Sequence, residues 1–135
     1  MPAASRIKGW VVHGGVILVP IRVQGHDVEF LLDTGSAYTA LSTDLVTLFS
    51  LPVDPGRTVT IAPAHGPEAS VPLITLPALR IGGVDLMNVE ALVLTFHRRL
   101  NLDGILGMNV LGRFRMTLES DTGTLVLRSI RHVSS

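Results

Sequence analysis

The sequence predicts an all-β fold, a small closed barrel with one or two short helices. Three observations point to it. Short runs of apolar and β-branched residues recur along the chain, as at 16–23 and 70–76. Turn residues separate these runs, among them 13 glycines and 8 prolines. The chain has 135 residues, one domain's worth, and is 47% hydrophobic and only 16% charged. So apolar a chain either fills a tight barrel or keeps an apolar face for a second copy of itself.

Taken in order, residues 1–12 read as an N-terminal arm, mobile over 1–9, residues 13–130 as the domain, and residues 131–135 as a C-terminal tail. Val16 to Val23 is β-branched and contains Pro20, which argues against a helix. A turn at Gln24-Gly25-His26-Asp27 leads into a return strand from Val28 to Asp33. Side chains alternate along it, so Asp33 lies opposite Phe30 and Leu32, while Leu31 makes the second face partly apolar. Ala37 to Leu41 is again extended. Ser42 is placed to cap a short helix from Thr43 to Leu48, with Asp44 in its first turn. Leu51-Pro52 and Asp54-Pro55-Gly56 end that helix. Residues 57–61 and 70–76 are extended about the turn-rich tip Ala62, Pro63, Ala64, His65, Gly66, Pro67. Leu79 to Ile81, Gly82-Gly83 and Val89 to Leu94 make a further hairpin. Phe96 to Leu102 is a loop. Asp103 to Gly107 leads into a short helix near Asn109 to Leu111. Residues 115–119 and 124–128 close the chain as a hairpin.

Composition excludes several functions. Eleven basic residues balance eleven acidic ones with no long like-sign run, so no nucleic-acid partner is expected, and Arg98-Arg99 reads as a solvated loop. There is no cysteine, hence no disulfide framework and no thiolate metal site. The five histidines, at 13, 26, 65, 97 and 132, lack ligand spacing, so neither a metal nor a cofactor is expected. The apolar pieces near the N-terminus are too short and broken to span a bilayer, and no small-residue cleavage site follows them. No residue names a compartment; a soluble, cytoplasmic protein is the expectation.

The chemistry is concentrated in Phe30-Leu31-Leu32-Asp33-Thr34-Gly35-Ser36. An apolar strand that ends on a carboxylate carries a desolvation cost that needs a reason. Apolar-apolar-Asp-Thr-Gly-Ser resembles the active-site motif of aspartic proteases. With one such motif, the chain resembles the retropepsins, or retroviral-type proteases. Asp121-Thr122-Gly123 repeats the letters but comes after Glu119-Ser120 and reads as an exposed hairpin turn.

The resemblance implies a homodimeric aspartic endopeptidase acting on peptides or proteins, with Asp33 as catalytic residue and a second Asp33 supplied by the partner copy. It implies that Thr34 reaches the partner's loop, that Gly35 lets the backbone approach the site, and that Ser36 bonds the outer oxygen of Asp33. It makes the tip at 62–67 a substrate-covering flap. It makes Ile105, Leu106 and Gly107, in Asp103-Gly104-Ile105-Leu106-Gly107-Met108-Asn109, the segment that packs behind the active-site loop. Viral members carry an Arg and an Asp where this chain has Met108 and Ala37, so a bacterial or cellular member is implied. The alternative is a catalytically silent retropepsin-like module for dimerisation or peptide binding.

Overall fold

The structure, a computed structural model, describes residues 4–12, 14–62, 66–96 and 102–130. Pro63, Ala64, His65, the histidines at 13, 97 and 132, Arg98-Arg99 and the tail at 131–135 lie outside the described residues. The strands are β1 (Ala4–Lys8), β2 (Trp10–Val12), β3 (Val16–Val23), β4 (His26–Leu32), β5 (Thr39–Ser42), β6 (Thr58–Ile61), β7 (Ala69–Ile81), β8 (Val84–Leu94), β9 (Gly104–Leu106), β10 (Phe114–Glu119) and β11 (Thr124–Ser129). Two short helices, α1 (Thr43–Leu48) and α2 (Met108–Leu111), sit among them. None of the described helices is long and apolar enough to cross a membrane.

One sheet runs β2-β3-β4-β9-β5-β8-β7-β6. In addition β7 pairs back to β3, at Arg22↔Arg80 and Val23↔Leu79, so six of its strands close into a ring. A second sheet, β1-β11-β10, contributes Ile7, Leu125 and Leu127 to the same core as Val19, Phe30 and Leu106. Alternation explains which residues go in. Along β3, Ile17, Val19, Ile21 and Val23 are buried while Pro20 and Arg22 face out.

Several expected elements are found where their local chemistry places them. Ser42 Oγ accepts from Leu45 N at 3.1 Å and starts α1. The turn after β3 is narrower than expected. Gln24 and Gly25 alone form it, with φ of +52° and +78°, and β4 already begins at His26. Two left-handed residues in succession give a type I′ turn, whose twist suits a hairpin. Asp121 is exposed, and Gly123 N bonds to Glu119 O at 2.9 Å, so the second Asp-Thr-Gly is a hairpin turn.

Two expectations are corrected. The arm expected to be mobile at 1–9 is, over residues 4–8, the paired strand β1, in register with β11 from Ala4↔Arg128 to Lys8↔Thr124. Ile7 and Ser5 point inward, and the burial of Ile7 holds the strand down. The extended runs expected as separate pieces at 70–76 and 79–81 are one continuous strand, β7, which passes through Pro77. In β7 the core-facing set steps from Leu76 to Leu79, and in β8 from Leu86 to Val89. The step falls where Pro77, which has no N–H, lies in register with Asn88, whose φ is +55°. The ribbon thereby changes the face it buries without ending.

The docking of β1 is testable. Ile7→Ala should lower the unfolding free energy by about 2–5 kcal/mol, measured by urea denaturation. A loose arm predicts no change.

Candidate active site

The site is built where β4 ends. β9 lies parallel to β4, pairing Phe30↔Gly104, Leu31↔Ile105 and Leu32↔Leu106. The ladder runs one residue further, because Asp33 N donates to Leu106 O at 3.1 Å. On its other side β9 pairs antiparallel with β5, at Ala40↔Ile105 and Leu41↔Gly104. Segment 104–106 is therefore wedged between the strand that enters the loop 33–38 and the strand that leaves it.

Asp33 is partly exposed, and Gly35 N donates to its Oδ1 at 3.0 Å. Ser36 N closes the turn on Asp33 O at 3.2 Å. Thr34 and Gly35 are exposed at the crest. The expected bond from Ser36 to the Asp33 carboxylate is not formed. Ser36 Oγ donates instead to Tyr38 O at 2.7 Å, and the Gly35 amide takes up the carboxylate oxygen. None of the ion pairs among the described residues includes Asp33. The hydrogen bond that the Asp33 side chain makes is therefore to a backbone amide of its own loop.

Helix α2 clamps the loop from behind. The first N–H groups of a helix have no intrahelical acceptor. In α2 they bond to the loop: Met108 N donates to Ser36 O at 2.8 Å and Asn109 N to Ala37 O at 3.1 Å. Gly107 is required by close approach. A Cβ there would stand 2.3 Å from Tyr38 O, a backbone atom that cannot turn aside. Ile105 and Leu106 divide the packing. Leu106 is fully buried in the main core, and Ile105 joins a second apolar cluster with Tyr38, Ala40, Leu73 and Leu92.

Two residues of this clamp escape a reading of the motif. Thr39 is fully buried; its Oγ1 accepts from Gly107 N at 3.1 Å and donates to Asn109 Oδ1 at 2.8 Å. Asn109 Oδ1 also accepts from Thr39 N at 2.7 Å, and its Nδ2 donates to Glu90 O at 2.7 Å. Their signal in the sequence is a polar residue inside an apolar run, Thr39 ahead of Ala40-Leu41 and Asn109 within Met-Asn-Val-Leu. Asp103 acts similarly, accepting from Glu29 N at 2.9 Å through Oδ2 and from Ser42 N at 2.9 Å through its carbonyl.

Beside Asp33 opens a cleft of about 400 Å³, lined by Gly15, Val16, Ile17, Leu31, Leu32, Asp33, Thr34 and Leu118. Its wall is mostly apolar, with Val16 and Leu118 exposed. The hairpin β6–β7 packs its apolar residues Val59, Ile61 and Val71 on the cluster that contains Tyr38 and Ile105. Of the flap candidates, Ala62, Gly66 and Pro67 are exposed beyond the last pair Ile61↔Ala69, and Pro63, Ala64 and His65 lie outside the described residues. Among the described residues no cluster of His, Cys, Asp and Glu could hold a metal ion.

Comparison with known proteins agrees with this geometry. A family model described as aspartyl protease matches residues 19–110. No curated protein sequence matches the chain. Among solved structures, a retropepsin-like aspartic protease from Rickettsia conorii superposes with a TM-score of 0.67 at 23% identity, covering 93% of this chain and 92% of its own. The retroviral protease-like domain of Ddi1 from Leishmania major gives 0.59 at 16% identity, covering 86% and 94%.

The clamp yields a test independent of any activity. Asn109→Leu would leave the Thr39 N–H, the Thr39 hydroxyl and the Glu90 carbonyl without their partner. It should cost about 3 kcal/mol, read as a lower urea midpoint at unchanged slope.

Proposed function

This chain belongs to the aspartyl protease family and has the retropepsin-like fold, and on that premise we propose that it is a homodimeric endopeptidase. The observation that carries the reading is a solitary partly exposed carboxylate. Asp33 ends an apolar strand, its loop is clamped on the inner side, and its outer side opens on an apolar cleft. The other Asp-Thr-Gly of the chain is an exposed turn, so a second catalytic carboxylate has to come from another molecule.

A twofold axis beside Asp33 would bring two such carboxylates together. Like charges at that range do not both ionise, so the pair shares one proton, as in the well-known aspartic-protease dyad. The ionised member takes a proton from a bound water, whose oxygen attacks the scissile carbonyl carbon. The protonated member gives its proton to the carbonyl oxygen. Collapse of the tetrahedral intermediate, with proton transfer to the amide nitrogen, breaks the C–N bond. Thr34, exposed at the crest, is placed to meet the partner's loop. The exposed Leu118 and Val16 offer apolar surface at the cleft rim for a subunit contact.

An extended peptide suits the rest of the surface. β6 is an edge strand, open to main-chain pairing. The half-buried Tyr38, Ile61 and Ile105 near it offer apolar surface for substrate side chains. The tip at 62–67 acts as the flap that covers the bound peptide.

Asp33→Asn should abolish cleavage of a peptide library, a loss of about 10³-fold or more for removal of a catalytic group, while sedimentation still shows the wild-type assembly. Undiminished cleavage by this variant overturns the proposal. Peptide binding with no cleavage by the wild type, at any acidic or neutral pH, would point to the silent binding module instead.

A further inference from the structure

A second cleft, of about 450 Å³, opens between β1 and the seam where β3 meets β7. It lies at the end of β3 and β4 away from Asp33. Arg6, Lys8, Arg22 and Arg80 line it, against a single carboxylate, Asp27. The chain as a whole is neutral, with eleven basic and eleven acidic residues, so this is a local accumulation of positive charge.

The arrangement of these cations is what makes a site. Arg22 and Arg80 are direct partners across the two-residue pairing that closes the ring. Like charges placed opposite each other on neighbouring strands destabilise the pairing. Each lies near an aspartate, and Arg22 Nε also donates to Gly25 O at 3.2 Å. Arg80 Nη1 reaches both Asp85 oxygens, at 3.2 and 3.1 Å, while Arg22 Nε is 3.6 Å from Asp27, whose side chain is 86% exposed. Pairs so exposed contribute little and give way easily to a stronger ligand. Arg6 and Lys8 enter from the other sheet. Arg6 pairs with Glu119, but Lys8 Nζ is satisfied only by a carbonyl, donating to Thr122 O at 3.0 Å, and no ion pair among the described residues includes it. The acids that touch these four groups still leave one cation in excess. Gly82 and Gly83 at the rim carry no side chain to close the entrance.

We propose that this cleft binds a compact polyanion bearing two or more linked phosphate groups. The guanidiniums of Arg22 and Arg80 fork onto neighbouring phosphates, relieving their mutual repulsion, and Lys8 meets the anion from the opposite wall. The proposal does not depend on Asp33 or on dimer formation. A long nucleic-acid backbone presents the same phosphates but needs a continuous basic track, and a chain with eleven basic and eleven acidic residues and no long like-sign run does not offer one.

Calorimetric titration of the full chain with tripolyphosphate, at fixed ionic strength, is the test. One saturable site is expected, with inorganic phosphate binding about tenfold or more weakly for want of a second phosphate contact. Arg22→Gln combined with Arg80→Gln should weaken tripolyphosphate about a hundredfold, each lost charge-assisted contact removing about tenfold. Lys8→Gln, on the other sheet, should weaken it about tenfold by the same reasoning, and serves if the seam variant does not fold. Arg113→Gln combined with Arg115→Gln makes the same change of charge outside the cleft and should leave binding intact. No saturable binding, an equal loss in that control pair, or a single-stranded oligonucleotide binding as tightly as tripolyphosphate would each overturn the proposal.

Discussion

A gap too small for any side chain, between Gly107 and the Tyr38 carbonyl, sets the position of loop 33–38. Loop 33–38 has no regular hydrogen-bonding pattern of its own, so its shape is imposed by the segment behind it. Three backbone amides of that segment's C-terminal half, at Gly107, Met108 and Asn109, donate to groups of residues 36–39. Each such bond is worth only about 1 kcal/mol net. Together with the Asn109 side chain they tie the loop to the segment that starts α2.

The ring topology makes the clamp possible. Because β9 inserts between β4 and β5, the chain that arrives at Asp33 and the chain that departs through Thr39 are both anchored to the same three residues. Leu106 fastens the wedge to the main core, and Ile105 faces the second cluster, on which the β6–β7 hairpin rests. The same three-residue strand thus touches the loop, the core and the base of the flap candidate. A change in the packing of Ile105 is therefore felt both by the site and by the hairpin above it.

Local chemistry was legible in the sequence wherever one residue decides the outcome. Ser42 marks a helix start, glycine pairs mark tight hairpins, and the apolar run before Asp33 marks the strand β4 that ends at Leu32. The features that were not legible depend on partners distant in the chain. β1 is a strand only because β11, about 120 residues on, offers it an edge and a place for Ile7. The Ser36 hydroxyl turns to Tyr38 O, which only the folded loop brings within reach. Asn109 looks like an indifferent helix residue until its amide is seen to join Thr39 and Glu90 from two other strands. The runs at 70–76 and 79–81 look separate in the sequence because Pro77 lies between them, but the partner strand β8 carries the pairing across it.

On the proposed reading, a single partly exposed Asp33 is half of a site. Subunit mixing tests that reading most directly. Increasing amounts of Asp33→Asn protein are added to a fixed amount of wild type, subunits are allowed to exchange, and cleavage of a peptide substrate is followed. If two Asp33 carboxylates act together, wild-type subunits are drawn into inactive mixed dimers and cleavage falls toward zero. If cleavage holds constant while mixed dimers demonstrably form, each chain works alone and the shared site is contradicted.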